Sequence, residues 1–480
     1  MARAENIISV GLDIGTTTTS IVMSDLEIEN VAEGIGVPEV RIINKKIIFR
    51  SEIITTPFVD SENVDANKVG NFLLRQYDLA GISPEDVKTG ALIITGEAAR
   101  KQNARNVSSA TASSAGSFVV AAAGAHMEAA ISGKGSGAAK YSAENDCRIL
   151  NIDIGGGTTN CSIYDKGYCV STICMNIGGR LIQFESGSLK VKDFNKWGSA
   201  VAKFCEIDLL KGHYLVKQHL RVICDALSDS LVSVLRGEPD DLASSLLIGD
   251  MPQGPFDLDA VSFSGGVGSI YYRSTSLEQG TDVTKMLQYD DIGIALASSL
   301  RNKMSISPFH VVSPEETIYA TVIGAGIHST ELSGSTIYIS DPGALPLRDL
   351  PVIKASFANS YIDKKRLQEM LKIFEKEGST GVAIVIGEME DVSFARVNEV
   401  ATALSEVLNH VTINGSVVVI SENDIGKILG SLLTNAVTGD KKIISIDQIN
   451  VKELDYLDIG EPLYGGTIVP VVLKSLVFSD

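Results

Sequence analysis

Several classes of function are excluded by what this chain lacks. Its 480 residues carry 41 Lys and Arg against 59 Asp and Glu, a formal net charge of -18. So acidic a chain repels phosphate backbones, and no nucleic-acid partner is expected. The cluster Arg100, Lys101 and Arg105 is short and reads as a solvated helix face. No window holds eighteen apolar residues, and MARAENIISV has no uninterrupted apolar core of a secretory leader, so no membrane partner is expected. The most apolar stretch, FVVAAAGAHM, is short and rich in Ala and Gly, and reads as a buried helix or strand. None of the six cysteines forms a C-x2-C pair, which argues against zinc. They read as small buried side chains in a reducing cytosol. The six histidines are scattered, and no Ser-His-Asp or Cys-His arrangement is apparent. A GxxxxGK[ST] loop is also missing. Lys134, in SGKGSGAAKYS, therefore reads as part of a surface loop over Ser132–Ser142 before a second domain.

What the chain does contain is one pattern, twice. VGLDIGTTTTS runs from Val10 to Ser20 and NIDIGGGTTNCSI from Asn151 to Ile163. Each is an apolar run, an Asp, glycines, then hydroxyl residues. Apolar residues resume directly after each loop, so a strand–turn–strand hairpin fits better than a loop leading into a helix. Glycines let backbone N–H groups converge on phosphate oxygens, and threonines add hydroxyl donors. The candidates are Gly15, Thr16, Thr17 and Thr18 in the first loop, and Gly155, Gly156, Gly157, Thr158 and Thr159 in the second. Asp13 and Asp153 stand at matching positions. Carboxylates beside a phosphate repel it unless a divalent cation intervenes, so the pair predicts magnesium, held through water, as well as a nucleotide.

The length suggests two to four domains. With 44% hydrophobic and 21% charged residues, the composition is that of a folded soluble protein. Ser83–Lys88 opens like a helix, with Ser, Pro and acids in order. ALIITGEAARKQNA reads as a strand followed by a helix, with Glu97 in the first turn, where it either orients an attacking water or complements the helix dipole. VSFSGGVGS places Gly265, Gly266 and Gly268 after a short strand, where a flat ring or ribose could approach the backbone. TVIGAGIHST places Gly324, counted with the expected nucleotide-binding glycines, and His328 in a hinge-like run of small residues. Beyond it, strands at Gly381–Gly387 and Ser416–Ser421 alternate with helices at Asp363–Phe374 and Phe394–Leu408, which predicts further α/β packing.

This order of motifs resembles the actin, sugar kinase and heat-shock ATPase superfamily. There a first phosphate loop, a connecting helix, a second phosphate loop, an adenosine motif and a second connecting segment follow one another. Here they correspond to Asp13–Thr19, Gly96–Ala104, Asp153–Asn160, Gly265–Ser269 and Gly324–His328. The resemblance implies an α/β, actin-like ATPase fold of two RNase H-like domains around a nucleotide cleft, at 1–145 and 146–334, with a C-terminal α/β region at 335–480. It implies ATP and Mg2+ as cofactors, with Asp13 and Asp153 at the metal and Gly265 and Gly266 on the adenosine side.

Within the superfamily, LDIGTTTTSIV, LIITGEAARKQNA, NIDIGGGTTN with Gly178 and Gly179, FSGGVG and DIGEPLYGGTIVPVVLKSLVF resemble the ethanolamine ammonia-lyase reactivating factors along essentially the whole chain. That family implies a chaperone that uses ATP to release damaged cobalamin from inactivated ethanolamine ammonia-lyase. It acts in the cytoplasm, in a pathway associated with bacterial microcompartments. Slow magnesium-dependent ATP hydrolysis is expected, with Asp13, Asp153 and Glu97 as its acidic residues. Self-association as a homodimer is compatible with the sequence. No DxHxxG-like signature appears, so cobalamin need not bind this chain. The alternatives on the same fold are a small-molecule kinase or phosphohydrolase, and a filament-forming or regulatory nucleotide-binding module.

Overall fold

The computed structural model describes residues 4–15, 17–32, 40–59, 63–94, 119–122, 125–252, 254, 256–273, 283–328, 330–334, 336–355, 357–358, 361–376, 381–413, 415–449 and 455–475. The first apolar run forms strand β1 (Glu5–Ile14), which turns directly into β2 (Thr18–Asn30). β3 (Val40–Arg50) lies antiparallel to β2. Helix α1 (Ala66–Ala80) starts where the Asp65 side chain accepts the Lys68 N–H, and stops at Gly81 in the left-handed conformation (φ 67°). The helical start expected at Ser83 is a single 3-10 turn, because β4 (Val87–Ile94) begins at once. β4 runs parallel to β1, and β5 (Val119–Ala122) parallel to β4, giving the order β3-β2-β1-β4-β5.

Helices α2 (Ala125–Gly135) and α3 (Ala138–Asn145) follow. The loop expected at Ser132–Ser142 is therefore the end of one helix, a turn at Gly137 (φ 90°), and the start of another. Tertiary packing outweighs the weak helix propensity of its glycines. A side chain at Gly133 would collide with the Ser162 hydroxyl and the Tyr164 ring.

The second half repeats the first. β6 (Arg148–Ile154), β7 (Thr159–Asp165) and β8 (Tyr168–Met175) form an antiparallel meander, and β9 (Ala260–Ser264) returns parallel to β6. The connection to β9 contains helices α4 (Lys196–Phe204) and α5 (Lys217–Leu235). Beyond it come α6 (Gly265–Tyr272), α7 (Gly293–Ser305) and α8 (Ala320–His328). One face of this sheet packs Cys161, Ile163 and Ile173 against Leu220, Leu227 and Leu231 of α5. Of the six cysteines, which form no disulfide, Cys161, Cys174 and Cys224 are buried as expected, while Cys169 is exposed.

The remaining chain builds its own eight-stranded sheet. Its strands are β10 (Thr330–Leu332), β11 (Tyr338–Ile339), β12 (Leu347–Ala355), β13 (Gly381–Ile386), β14 (Ser416–Ser421), β15 (Lys442–Asp447), β16 (Asp455–Ile459) and β17 (Pro470–Ser475), in the order β10-β17-β16-β12-β13-β14-β15-β11. β12 to β15 are parallel, joined through α9 (Lys364–Lys376), α10 (Phe394–Leu408) and α11 (Gly426–Ala436). Two polar contacts tie this region to the first sheet. The Tyr464 N–H donates to the Glu5 carboxylate (3.1 Å), and Lys88 lies 3.5 Å from Glu461. Leu463 and Ile468 are buried with Ile7, Val22, Leu26 and Ile28.

The chain passes from the first sheet to the second through α2 and back through α8, and these helices cross at glycines. A Cβ on Gly324 would fall on the Ile131 carbonyl, one on Gly135 on the Ala320 carbonyl, and one on Gly11 of β1 on the Val322 carbonyl, all well inside van der Waals contact. Substitution of Gly324 by Ala is therefore expected to cost about 1–3 kcal/mol, the usual penalty of overpacking a fixed backbone contact. Denaturant unfolding checks this; an unchanged midpoint would show that the crossing is looser than described.

Candidate functional site

The two loops are built alike. In the first, the Gly15 N–H donates to the Thr18 carbonyl (2.9 Å); in the second, the Gly155 N–H donates to the Thr158 carbonyl (3.0 Å). Asp13 pairs in register with Ser20, and Asp153 with Asn160. Each turn is fastened from outside through its carbonyls. The Thr56 hydroxyl donates to Gly15 O (2.7 Å) and the Thr56 N–H to Thr17 O (3.1 Å). The Gly179 N–H donates to Gly155 O (3.0 Å) and the Arg180 N–H to Gly156 O (2.6 Å). The N–H groups of Gly156 and Gly157 meet no acceptor among the described residues. Successive N–H groups on a glycine turn are the donor arrangement a phosphate oxygen requires. The turns also face each other: a Cβ on Gly156 would strike the Thr17 hydroxyl.

Three carboxylates interact through their charges near the loops. Asp153 is buried and accepts from Thr321 of α8 (3.1 Å), with Ser132 of α2 and Ser264 before α6 as further hydroxyl partners. Burial raises its carboxyl to about 6, and those hydroxyls oppose the rise. Glu128, on α2, is the residue that the sequence reading passed over. Burial raises its carboxyl well above the usual range; the charges of Asp13 and Asp153 raise it further, and a hydrogen bond from Asn160 opposes them. Between Glu97 and Glu144 the chain carries one carboxylate, Glu128. That isolation in an Ala-rich stretch was the available signal.

The other expected residues divide by location. Thr17 is half-buried in its turn and Thr18 is the first residue of β2, opposite Thr55. Thr158 is half-buried at the end of its turn. Thr159 is buried, and its hydroxyl donates to Ile177 O (2.8 Å), so it braces the hairpin and does not face a phosphate. Gly265 adopts φ 80°, and a side chain there would collide with the Asp153 carboxylate, while Gly266 faces open space. Gly268 packs against Phe263. Gly324 is a correction: it lies within α8 against Ile131, where its lack of a side chain serves the helix crossing and not a nucleotide. Thr16, Glu97 and the expected connecting helix Gly96–Ala104 lie outside the described residues. Among the described residues it is α2 that links the two sheets.

Among the described residues no three His, Cys, Asp or Glu side chains are grouped to hold a metal ion directly. Asp13 and Asp153 stand at matching positions near the ends of matching strands, and the charge of each acts on Glu128. That donor set fits a cation held through water. No helix among the described residues is long and apolar enough to cross a membrane.

Two sheets that share a four-strand core, an antiparallel meander followed by a parallel strand, joined by crossing helices and bringing matched acidic hairpins face to face, define an actin-like ATPase fold built from two RNase H-like halves. The chain belongs to the family described as ethanolamine utilisation protein EutA, which matches residues 5–479. The ethanolamine ammonia-lyase reactivase EutA of Salmonella typhimurium is 35% identical over 476 residues, covering 99% of both chains. The protein of the same name from Escherichia coli K12 is 35% identical over 477 residues, again covering 99% of each. Among solved structures, the PPX-GPPA enzyme of Aquifex aeolicus has a TM-score of 0.39 at 11% identity, covering 67% of this chain and 98% of that one.

Beside the second loop, the Ile292 N–H donates to Gly179 O (3.0 Å). Asp291 accepts from the Gly293 N–H (2.8 Å) and lies 3.8 Å from the Arg180 guanidinium. Burial nevertheless raises the Asp291 carboxyl from 3.8 to about 6. The native state thus holds this proton more tightly than the unfolded chain, and the Asp291 contribution to stability declines as pH rises from about 4 to 6. Asp291→Asn, which keeps the acceptor for Gly293, is expected to gain up to about 3 kcal/mol over the parent above pH 6 and little below pH 4. Denaturant unfolding at both extremes checks the sign; a loss of stability at neutral pH would overturn it.

Proposed function

We propose that this chain reactivates ethanolamine ammonia-lyase, binding ATP with magnesium between its two hairpin loops and coupling slow hydrolysis to release of damaged cobalamin from the lyase. The observation that carries the nucleotide reading is the facing pair of acidic hairpins, with Asp13, Asp153 and Glu128 interacting through their charges near them. The relatives bearing the name ethanolamine ammonia-lyase reactivase, matched end to end, support the client. Action in the cytoplasm, or in a microcompartment, follows from that pathway.

In this reading Thr17, Gly156 and Gly157 supply donors to the phosphate chain, with Thr18 and Thr158 beside them. Gly266 leaves room for the nucleoside at the start of α6, while Gly265 lets the backbone close on Asp153 and Ile154. Asp13 and Asp153 would hold the water shell of a divalent cation, which would supply counter-charge for the phosphate oxygens. Glu128 takes the role first considered for Glu97. Bonded to Asn160 and facing both aspartates, it orients the attacking water and accepts its proton at a carboxylate oxygen. Thr321 and Ser132, both bonded to Asp153, connect the loop to the two helices that join the halves. A change at Asp153 is thereby felt at the crossing of α2 and α8, where rotation of one half against the other would be centred.

Glu128→Gln is expected to bind ATP within about threefold of the parent while losing on the order of 100-fold in turnover. Asp13→Asn should instead weaken magnesium-dependent binding. Both are measured alongside recovery of inactivated ethanolamine ammonia-lyase supplied with ATP, magnesium and fresh adenosylcobalamin. A parent protein that neither hydrolyses ATP nor restores the lyase would sink the proposal, and turnover of a small-molecule acceptor without the lyase would favour a kinase.

A further inference from the structure

The second half carries a basic, apolar face that the nucleotide site does not use. Five large hydrophobic side chains stand exposed within one short segment: Phe204 (56% exposed), Leu210 (52%), Tyr214 (69%), Val216 (54%) and Val222 (36%). They are not a failure of local packing. The same segment buries Ile207, Leu209, Leu215 and Leu220 at interleaved positions, so its backbone is anchored and the outward residues are surplus to the core.

Hydrogen bonds draw the segment into one surface. The Cys205 thiol, 4.0 Å from Val222 O, holds the end of α4 beside α5. The His213 N–H donates to Leu210 O (3.2 Å), closing a turn. That turn is bonded to the strand Val191–Phe194 by Gly212 N–H to Val191 O and Val191 N–H to His213 O, both 2.8 Å.

The charge of this face is opposite to that of the molecule. Residues 185–225 contain seven Lys and Arg against five Asp and Glu, while the rest of the chain contains 34 against 54. A binder of nucleic acid or anionic lipid would keep its cations free for phosphates. Here Lys190, Lys211 and Arg221 are paired with Glu185, Asp193 and Asp225, at 2.9, 2.6 and 3.6 Å. An aromatic and aliphatic centre with a charged rim is the anatomy of a protein interface. Lys192 and Lys203, exposed and outside these pairs, leave the rim positive, which favours an acidic partner; a second copy of this acidic chain meets overall like-charge repulsion.

We propose that this face docks an acidic-rimmed surface of the client lyase, an inference that rests on the reactivase reading above. The test uses the full chain and purified ethanolamine ammonia-lyase. One variant combines Phe204→Ser with Tyr214→Ser; another combines Lys192→Glu with Lys203→Glu, at two exposed lysines of the same region. Binding to immobilised lyase is read at low and high salt, together with reactivation, ATP binding and thermal unfolding. The apolar variant should lose about tenfold or more in affinity. The charge variant should lose most at low salt, chiefly in association rate. ATP binding and unfolding should match the parent in both. Variants that bind and reactivate the lyase within about twofold of a working parent overturn the docking face alone. So does a change confined to self-association of the chain, or to binding of anionic vesicles. A parent that neither binds nor reactivates the lyase overturns both the reactivase reading and the docking face.

Discussion

The architecture depends on two helices approaching backbone to backbone. α2 and α8 carry the chain between the halves, and glycines at 135 and 324 let each pass against a carbonyl of the other. Gly11 does the same where α8 crosses β1. The Ser9 hydroxyl bonds Gly326 O at the same junction. Any side chain at these points would lever the helices apart, and the two hairpin loops, each at the end of a strand packed on them, would no longer face each other. The close approach is thus a condition for the site as well as for the fold.

The carboxylates stand directly on that junction. Asp153 takes hydroxyl bonds from α2, from α8 and from the strand that leads into α6. Glu128 rises from α2 into the charge of both aspartates. Three acids close together in a buried site are unfavourable without a counter-charge. Their position at the turns where phosphates are expected gives the cluster its chemical sense, and their attachment to the joining helices supplies a route from bound ligand to relative position of the halves.

The matched hairpins were legible because a turn is local chemistry: an acid, small residues and hydroxyls at one spacing produced the same register at Asp13 and Asp153. Regular amphipathic or apolar segments were legible too, and α10 and β14 have the bounds their patterns suggested. The Ala, Gly and Ser stretch around α2 has no period to read. Its helix is held by contacts with Tyr164, Ser162 and α8, which only the fold supplies. Glu128 was hidden with it, and Gly324 looked like a ligand-loop glycine because close helix packing and close ligand approach select the same residue. That the C-terminal strands form a sheet of their own follows from long-range pairing, such as β10 with β17, and not from local pattern.

The fastening of that third sheet has a mechanical consequence. Tyr464 to Glu5, Lys88 to Glu461, and the burial of Leu463 and Ile468 beside Ile7 and Val22 all join it to the first half. The first half and the third sheet are therefore fastened together on one side of the glycine crossing. Any rotation of the halves about that crossing, as in the cycle proposed above, would carry the C-terminal sheet with the first half, and its outer edge would travel farther than the loops.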